Sequence, residues 1–151
     1  MAENPNQPLV GKESAPTTIH VDRSRIRQFA RAVGLTDPAY FDVAAAQRLG
    51  YRDLLAPPTL PIALGTDAEP GGGEMPRVKW DVRKLLHEGT TIDFDRPIVA
   101  GDVLTVKSLL KSIATREGKS GARTIYTMET AFYDPQGKRV CALLIKTSEG
   151  Q

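Results

Sequence analysis

The sequence predicts an α+β domain in which helices come first and antiparallel strands follow. In the first half, apolar residues recur at the i, i+3, i+4 and i+7 spacing of a helix, at Ile26, Phe29, Ala30 and Val33. From Thr90 onward, apolar and polar residues alternate as they do in strands. This order of elements is typical of a curved sheet packed around an apolar helix.

The first segments of the chain predict a short strand and a helix behind a loose N-terminus. Residues 1–14 are polar and contain proline, so we expect a flexible lead-in to one domain that spans residues 15–149. Residues 16–21 are rich in β-branched side chains and predict a strand. Asp22 is a good N-cap for the helix that follows, and Gly34, which adopts positive φ at little cost, ends that helix.

Two further helical segments and a loop complete the first half. Residues 43–49 are rich in alanine and predict about two helical turns. Thr59 is a suitable cap for the apolar residues 60–65, a short buried helix in which Pro61 is compatible only with the helix start. Residues 66–77 are rich in glycine and proline and predict a mobile loop, either a plain connection or a lid over a ligand.

The second half predicts a meander of strands. Residues 81–87 indicate a single helical turn before the sheet begins. Four strand-like segments follow, at residues 90–99, 102–116, 122–134 and 138–148. Short breaks separate these segments, and the last break, DPQG, is a strong turn signal. We therefore expect long antiparallel strands with short connections.

Composition excludes several classes of protein. The 151 residues, 40% hydrophobic and 25% charged, are typical of one ordinary globular domain. No apolar run approaches the roughly 20 residues of a membrane helix, and the N-terminus does not resemble a secretory signal, so we expect a cytoplasmic protein without membrane contact. The net charge of +2 is spread along the chain and provides no basic tract for nucleic acid.

The residues that usually hold metals and cofactors are sparse. A single cysteine, Cys141, lies in an alternating apolar segment and is expected to be a small buried hydrophobe. His20 and His87 are far apart and match no metal-ligand spacing. The glycines at residues 71–73 are too isolated for a phosphate-binding loop. We therefore predict no metal and no cofactor.

Four arginines cluster on the first predicted helix, at Arg23, Arg25, Arg27 and Arg31. One interpretation is a solvated helix face opposite the core. The other is a docking surface for an anionic carrier, such as the phosphates of coenzyme A or an acidic acyl carrier protein.

The stretch GLTDPAYFD, the 34–42 loop, is the main candidate for a site. It places Asp37, Tyr40 and Asp42 on a loop that directly follows a rigid helix, and loops positioned in this way often carry function. The alternative is a solvated turn, in which Asp37 bonds to the backbone and the Tyr40 ring packs on the core. His87, in the stretch HEG, is a further candidate that would place an imidazole near a ligand, although a lone histidine is more often a hydrogen-bonded structural residue.

Several motifs in order resemble those of the MaoC-like dehydratases, which have the hot-dog fold. They are GLTDPAYFD, APPT, LLHEG and RPIVAGD. The similarity covers roughly residues 8–148 and is greatest to the N-terminal-type dehydratase domain and to the HadA and HadC subunits of (R)-3-hydroxyacyl-ACP dehydratase. It implies a curved sheet wrapped around a central helix, a hot-dog dimer, and an acyl-CoA or acyl-ACP thioester as substrate.

The resemblance also implies that this chain lacks the catalytic pair. Active family members carry a motif with the order Gly, Asp, any residue, Asn, Pro, any residue and His. The Asp and the His of this motif activate the water that adds to the enoyl thioester. Here Gly34 and Pro38 match, Asp37 replaces the Asn, Leu35 replaces the Asp and Tyr40 replaces the His. Leu35 moves no proton, and a phenol with a pKa near 10 is a poor base at neutral pH.

We therefore expect a non-catalytic subunit that pairs with a catalytic hot-dog partner. Its acyl pocket would be lined by Tyr40, His87 and the residues Ala56, Pro57, Pro58, Thr59 and Leu60. One alternative is a self-sufficient homodimeric hydratase or thioesterase that uses Asp37, Asp42 or His87. Another is an acyl-CoA-binding module without chemistry.

Overall fold

The computed structural model describes residues 4–68, 78–118 and 121–150. Three helices precede most of the sheet: α1 (Arg23–Ala32), α2 (Val43–Arg48) and α3 (Leu60–Ala68). The strands are β1 (Thr17–His20), β2 (Leu85–Phe94), β3 (Val103–Gly118), β4 (Gly121–Tyr133) and β5 (Arg139–Gly150). Short 3₁₀ turns occur at Gln7–Leu9, Pro38–Tyr40 and Val82–Lys84. The predicted α+β class is confirmed.

The five strands form one antiparallel sheet with the order β1-β3-β4-β5-β2. The sheet therefore has two edges, a four-residue edge at β1 and a ten-residue edge at β2. Register shifts occur in β3 between Leu110 and Ser112 and in β2 between His87 and Gly89. Bulges of this kind increase the local twist of the strands, so they add curvature to the sheet near these two positions.

Helix α3 lies across one face of the sheet, which we call the helix face. Leu60 and Leu64 of this helix share a buried cluster with Phe132 and Leu143 of the sheet. Gly65 permits the close approach: a Cβ built there would lie 3.5 Å from Cγ2 of Thr130. We call the opposite side of the sheet the outer face. No helix among the described residues is long and apolar enough to cross a membrane.

The helix boundaries mostly agree with the sequence. The apolar stripe of α1 is confirmed for Ile26, Phe29 and Ala30, which pack inward. Val33 lies just beyond the helix and is 49% exposed, and Gly34 follows it with a φ of 74°. Asp22 occupies the N-cap position, but its side chain makes no capping hydrogen bond. The predicted loop at residues 66–77 begins too early, because α3 continues to Ala68; residues 69–77 lie outside the described part of the chain.

Two further predictions are corrected. The helical turn at residues 81–87 ends at Lys84, and Leu85 to His87 belong to β2 because they pair with β5. The N-terminal segment is packed rather than a loose lead-in from Asn4 onward. Asn6 is fully buried, and the Gly11 N–H donates to the Leu110 carbonyl at 2.9 Å.

Candidate functional site

The 34–42 loop is held in shape by its own backbone and side chains. The Leu35 N–H donates to the Ala30 carbonyl at 2.9 Å, which closes the end of α1. Pro38–Tyr40 then forms a 3₁₀ turn. Its cap is Asp37, whose carboxylate accepts the Ala39 N–H at 2.8 Å. The loop is therefore a well-defined turn, and its capping residue, Asp37, is one of the candidate site residues.

Asp42 has the same kind of role one turn later. Its carboxylate accepts the Ala44 N–H at 3.0 Å and caps α2. Both Asp37 and Asp42 are exposed. The structure thus gives each carboxylate a local capping function, which the turn interpretation had predicted for Asp37 alone.

Tyr40 packs its half-buried ring against the main core cluster. Burial raises the pKa of its phenol above the ordinary value, and the nearby Asp37 carboxylate and Tyr51 phenol raise it further. The group is therefore neutral at physiological pH. Within the described residues its hydroxyl has no hydrogen-bond partner, so it is available to a ligand as donor or acceptor.

Three of the motifs that the sequence singled out meet in space. The Leu55 N–H donates to the Ala39 carbonyl of the 34–42 loop at 3.1 Å. The neighbouring Ala56 N–H donates to the Ile98 carbonyl of RPIVAGD at 2.9 Å. The segment that leads into APPT is therefore a short extended bridge between the other two motifs.

The APPT residues join this bridge to α3. Ala56, Pro57 and Leu60 are buried, whereas Pro58 and Thr59 are exposed at the helix start. The Thr59 carbonyl accepts the Ile62 N–H at 3.1 Å. Tyr40 and residues 56–60 thus lie on one connected framework at the N-terminal end of α3.

His87 is not part of that framework. It lies exposed near the start of the edge strand β2, on the helix face. Its Nε2 is 3.3 Å from the Thr90 hydroxyl, and no hydrogen bond joins it to the 34–42 loop among the described residues. Within a single chain, His87 and Tyr40 do not form a pair.

Asp102 is an organising residue that the sequence reasoning treated only as part of a motif. Its carboxylate is 6% exposed and binds Arg52 and Arg96, with Arg96 Nη1 at 2.8 Å. It also accepts the Val99 N–H at 3.0 Å. These groups border an open depression of about 500 Å³, which Tyr51 also lines. The sequence carried one signal for this role: Asp102 directly follows Gly101 in a predicted break between two strands.

The arginines of α1 are largely occupied inside the chain. Arg23 pairs with Asp53 at 2.7 Å, and Arg25 pairs with Asp67. The remaining two contact Phe41: Arg27 donates to its carbonyl at 3.0 and 3.1 Å, and the Arg31 guanidinium lies 5.8 Å from its ring centre. These contacts favour a structural role over a docking surface for an anionic carrier.

The described residues contain no group of three or more His, Cys, Asp or Glu side chains arranged to hold a metal ion. Cys141 is fully buried, and burial raises the pKa of its thiol to about 12. It is therefore an inert core residue and not a nucleophile.

Comparison with solved structures identifies the class of fold. A MaoC-like dehydratase matches with a TM-score of 0.79 and 31% identity over 95% of this chain, which spans 42% of that longer chain. The C-terminally truncated HadBC (3R-hydroxyacyl-ACP dehydratase) complex from Mycobacterium tuberculosis matches with a TM-score of 0.79 and 26% identity, over 93% of this chain and 96% of the other. The protein therefore has the hot-dog fold.

Sequence comparison identifies the family. The family model described as the FAS1-like dehydratase domain region matches residues 8–143. The UPF0336 protein SCO4636 of Streptomyces coelicolor is 35% identical over 136 residues, covering 89% of this chain and 88% of the relative. The chain belongs to the FAS1-like dehydratase-region family, in agreement with the MaoC-like resemblance.

Proposed function

We propose that this chain is the substrate-binding, non-catalytic subunit of a hydro-lyase of fatty acid metabolism. The enzyme would be an (R)-specific enoyl-thioester hydratase or 3-hydroxyacyl dehydratase acting on acyl-CoA or acyl-ACP. One observation carries the proposal: the 34–42 loop keeps the family's turn but presents an apolar Leu35 and a neutral Tyr40 at the catalytic positions.

The chemistry requires groups that this loop lacks. In hydration, water loses a proton as its oxygen bonds to C3 of the enoyl thioester, and C2 gains a proton; dehydration is the reverse. A carboxylate and an imidazole perform these transfers well. Asp37 and Asp42 hold backbone N–H groups instead, and His87 is distant along the fold. We therefore assign proton transfer to a partner subunit.

The β2 edge is the surface that we assign to this partner. β2 offers ten residues for pairing, whereas β1 offers four. Large apolar side chains are also exposed on this strand: Leu86 and Phe94 are 56% and 42% exposed. A long, apolar, open edge is a template for another strand. The structurally similar HadBC dehydratase is a complex, which supports association with a second subunit.

In this arrangement Tyr40, His87 and residues 56–60 would line the acyl pocket. Tyr40 would present its phenol from the loop, and the exposed Thr59 would lie at the start of α3. His87, on the helix face of the edge strand, would contribute where the two subunits meet.

The first test is hydration of short and long trans-2-enoyl-CoA, followed by loss of the enoyl-thioester absorbance. We expect no turnover by the purified chain alone and turnover when a catalytic hot-dog subunit is added. Turnover by the chain alone, abolished in Asp37→Asn, would favour a self-sufficient enzyme. Tight acyl-CoA binding without turnover in any pairing would favour a binding module.

The second test concerns the pocket. Tyr40→Trp and Thr59→Trp are expected to reduce the activity of the two-subunit complex on long acyl chains more than on short ones. Thr18→Trp, on the exposed part of β1, is the matched control and is expected to have no effect. Full activity of both pocket variants on long chains would contradict the proposed role.

A further inference from the structure

The outer face of the sheet contains a groove away from the 34–42 loop. Its volume is about 640 Å³, and residues from β2, β3, β4 and β5 line it. The cross-strand pairs Thr91–Leu144, Thr127–Lys146 and Ala114–Ile125 place these side chains on one face. Because Leu143 faces α3, its neighbour Leu144 faces away from α3.

Two large apolar side chains lie on the floor of this groove, within a lining that is otherwise mostly polar. Ile125 and Leu144 are half-buried on adjacent strands, with Ala114 beside them. An antiparallel sheet that is solvated on one side normally presents polar residues there. Two of the bulges in the sheet, at Lys111 and Glu88, adjoin this end and add curvature that favours a groove.

The rim of the groove is basic. Arg116 and Lys146 are exposed and form no ion pair among the described residues. Arg123, opposite Arg116, donates to the Ser148 hydroxyl at 2.9 Å and has no carboxylate partner within the same residues. Against these cations the described lining contains one acid, Glu88.

The width of the groove matches an α-helix. Four adjacent strands span three inter-strand spacings, about 14 Å, and a helix with its side chains is about 10–12 Å across. A second copy of this chain does not supply a suitable helix, because α1 is basic, α2 has no acid and α3 has one, Asp67. We therefore propose that the groove docks an amphipathic helix of another protein, with an apolar stripe on Ile125 and Leu144 and acidic side chains toward Arg116 and Lys146.

Residues 88–91 of β2 line part of this groove, but the proposed contacts are made by side chains of β3, β4 and β5, so the test of this docking site does not depend on the proposed function. Attraction between the acidic helix and the basic rim would set the orientation and the rate of association. Ile125 and Leu144 would provide the apolar contact with the helix. Binding through such a rim is expected to weaken as salt is added.

Two designed helical peptides of about 18 residues test the proposal, a length at which isolated helices form. Both carry the same leucine stripe, and one is otherwise rich in Glu, the other in Lys. Backbone amide NMR shifts of the labelled full-length chain report binding. We expect the Glu peptide to bind and to shift amides of the groove strands, and the Lys peptide not to bind.

Charge reversal on the protein sharpens this test. Arg116→Glu with Lys146→Glu is expected to weaken binding of the Glu peptide by at least about tenfold, since attraction becomes repulsion. Lys12→Glu with Lys138→Glu changes the net charge equally at exposed positions outside the groove and is expected to preserve binding.

Four outcomes would overturn the proposal. They are absence of Glu-peptide binding, equal binding of both peptides, shifts confined to other surfaces, and insensitivity to the groove variant. Two further results would assign the groove to another occupant and equally overturn the proposal. One is a self-association, measured by sedimentation, that the groove variant abolishes. The other is co-sedimentation with anionic phospholipid vesicles that the same variant abolishes.

Discussion

The side chain of Asn6 makes two hydrogen bonds to the backbone of a single residue, Lys79. Its Oδ1 accepts the Lys79 N–H at 2.7 Å, and its Nδ2 donates to the Lys79 carbonyl at 3.0 Å. The Asn6 amide thus pairs with the backbone as a neighbouring strand would. It joins the N-terminal segment to the segment that leads into β2.

The first prediction concerns this pair. Asn6→Ala is expected to lower the free energy of unfolding by about 1–3 kcal/mol, because Asn6 is fully buried and its removal leaves the Lys79 groups unpaired. Urea unfolding measures the change. Gln7→Ala, at the adjacent exposed position, is expected to change stability by less than about 0.5 kcal/mol. Equal effects of the two substitutions would contradict this role.

Gly65 provides a second prediction, on the contact between α3 and the sheet. A Cβ added there would meet Thr130, Leu143 and Phe132 at 3.5, 3.6 and 3.8 Å, all ordinary van der Waals distances. Gly65→Ala is therefore expected to be tolerated or to stabilise the chain by about 0.5–1 kcal/mol, since alanine favours a helix.

A larger side chain at the same position is the internal control. Gly65→Leu is expected to destabilise the chain by about 1–3 kcal/mol, because a packed core resists added volume. Thermal unfolding of both variants distinguishes the two cases. A loss of more than about 1 kcal/mol in Gly65→Ala would show that the helix lies closer to the sheet than described.

Asp102 provides a third prediction. Asp102→Ala removes the acceptor of Arg52, Arg96 and the Val99 N–H, and we expect a loss of about 2–3 kcal/mol. Exposed Asp93, which has no hydrogen bond among the described side chains, is the matched control and should change stability by less than about 0.5 kcal/mol as Asp93→Ala. A loss of similar size in both variants, measured by urea unfolding, would argue against an organising role for Asp102.

Cys141 provides a prediction on pH. At pH 8 the native thiol is expected to resist a thiol-specific reagent, because it is fully buried and its pKa is about 12. Unfolding in guanidinium should release full reactivity. Labelling of the native chain at the rate of the unfolded chain would contradict the buried position.

The same raised pKa sets the sign of an alkaline effect. The unfolded thiol loses its proton at lower pH than the folded thiol, so deprotonation favours the unfolded state. The contribution of this thiol to the free energy of unfolding is complete below the ordinary thiol pKa. It is lost as the pH rises from there toward about 12. Cys141→Ala is therefore expected to lose less stability than the parent chain over that interval, measured by urea unfolding at each pH.

Local patterns determined much of the fold. The stripe Ile26, Phe29, Ala30 and Val33 identified α1, and alternation identified most of β3, β4 and β5. These signals are readable because helical and strand periods repeat within a few residues. The prediction that Leu35 and Tyr40 replace a catalytic pair likewise depends on residue identity, which needs no coordinates.

Tertiary structure decided what depends on distant partners. Leu85 to His87 resembled a helical turn, yet they belong to β2 because Glu149, Ser148 and Thr147 pair with them across the sheet. Asn6 resembled part of a loose tail, yet it is buried because Lys79 and Tyr126 lie beside it. No local pattern encodes such partners, which lie more than 50 residues away along the chain.

The candidate site divides in the same way. Sequence alone placed Asp37, Tyr40 and the APPT residues in one region, and the bridge at Leu55 and Ala56 brings them together in space. Only the structure separated His87 from them and gave Asp37 and Asp42 their capping roles. The physical reason is that residue type determines which chemistry is possible, whereas the three-dimensional position of its partners determines whether a carboxylate caps a turn or transfers a proton.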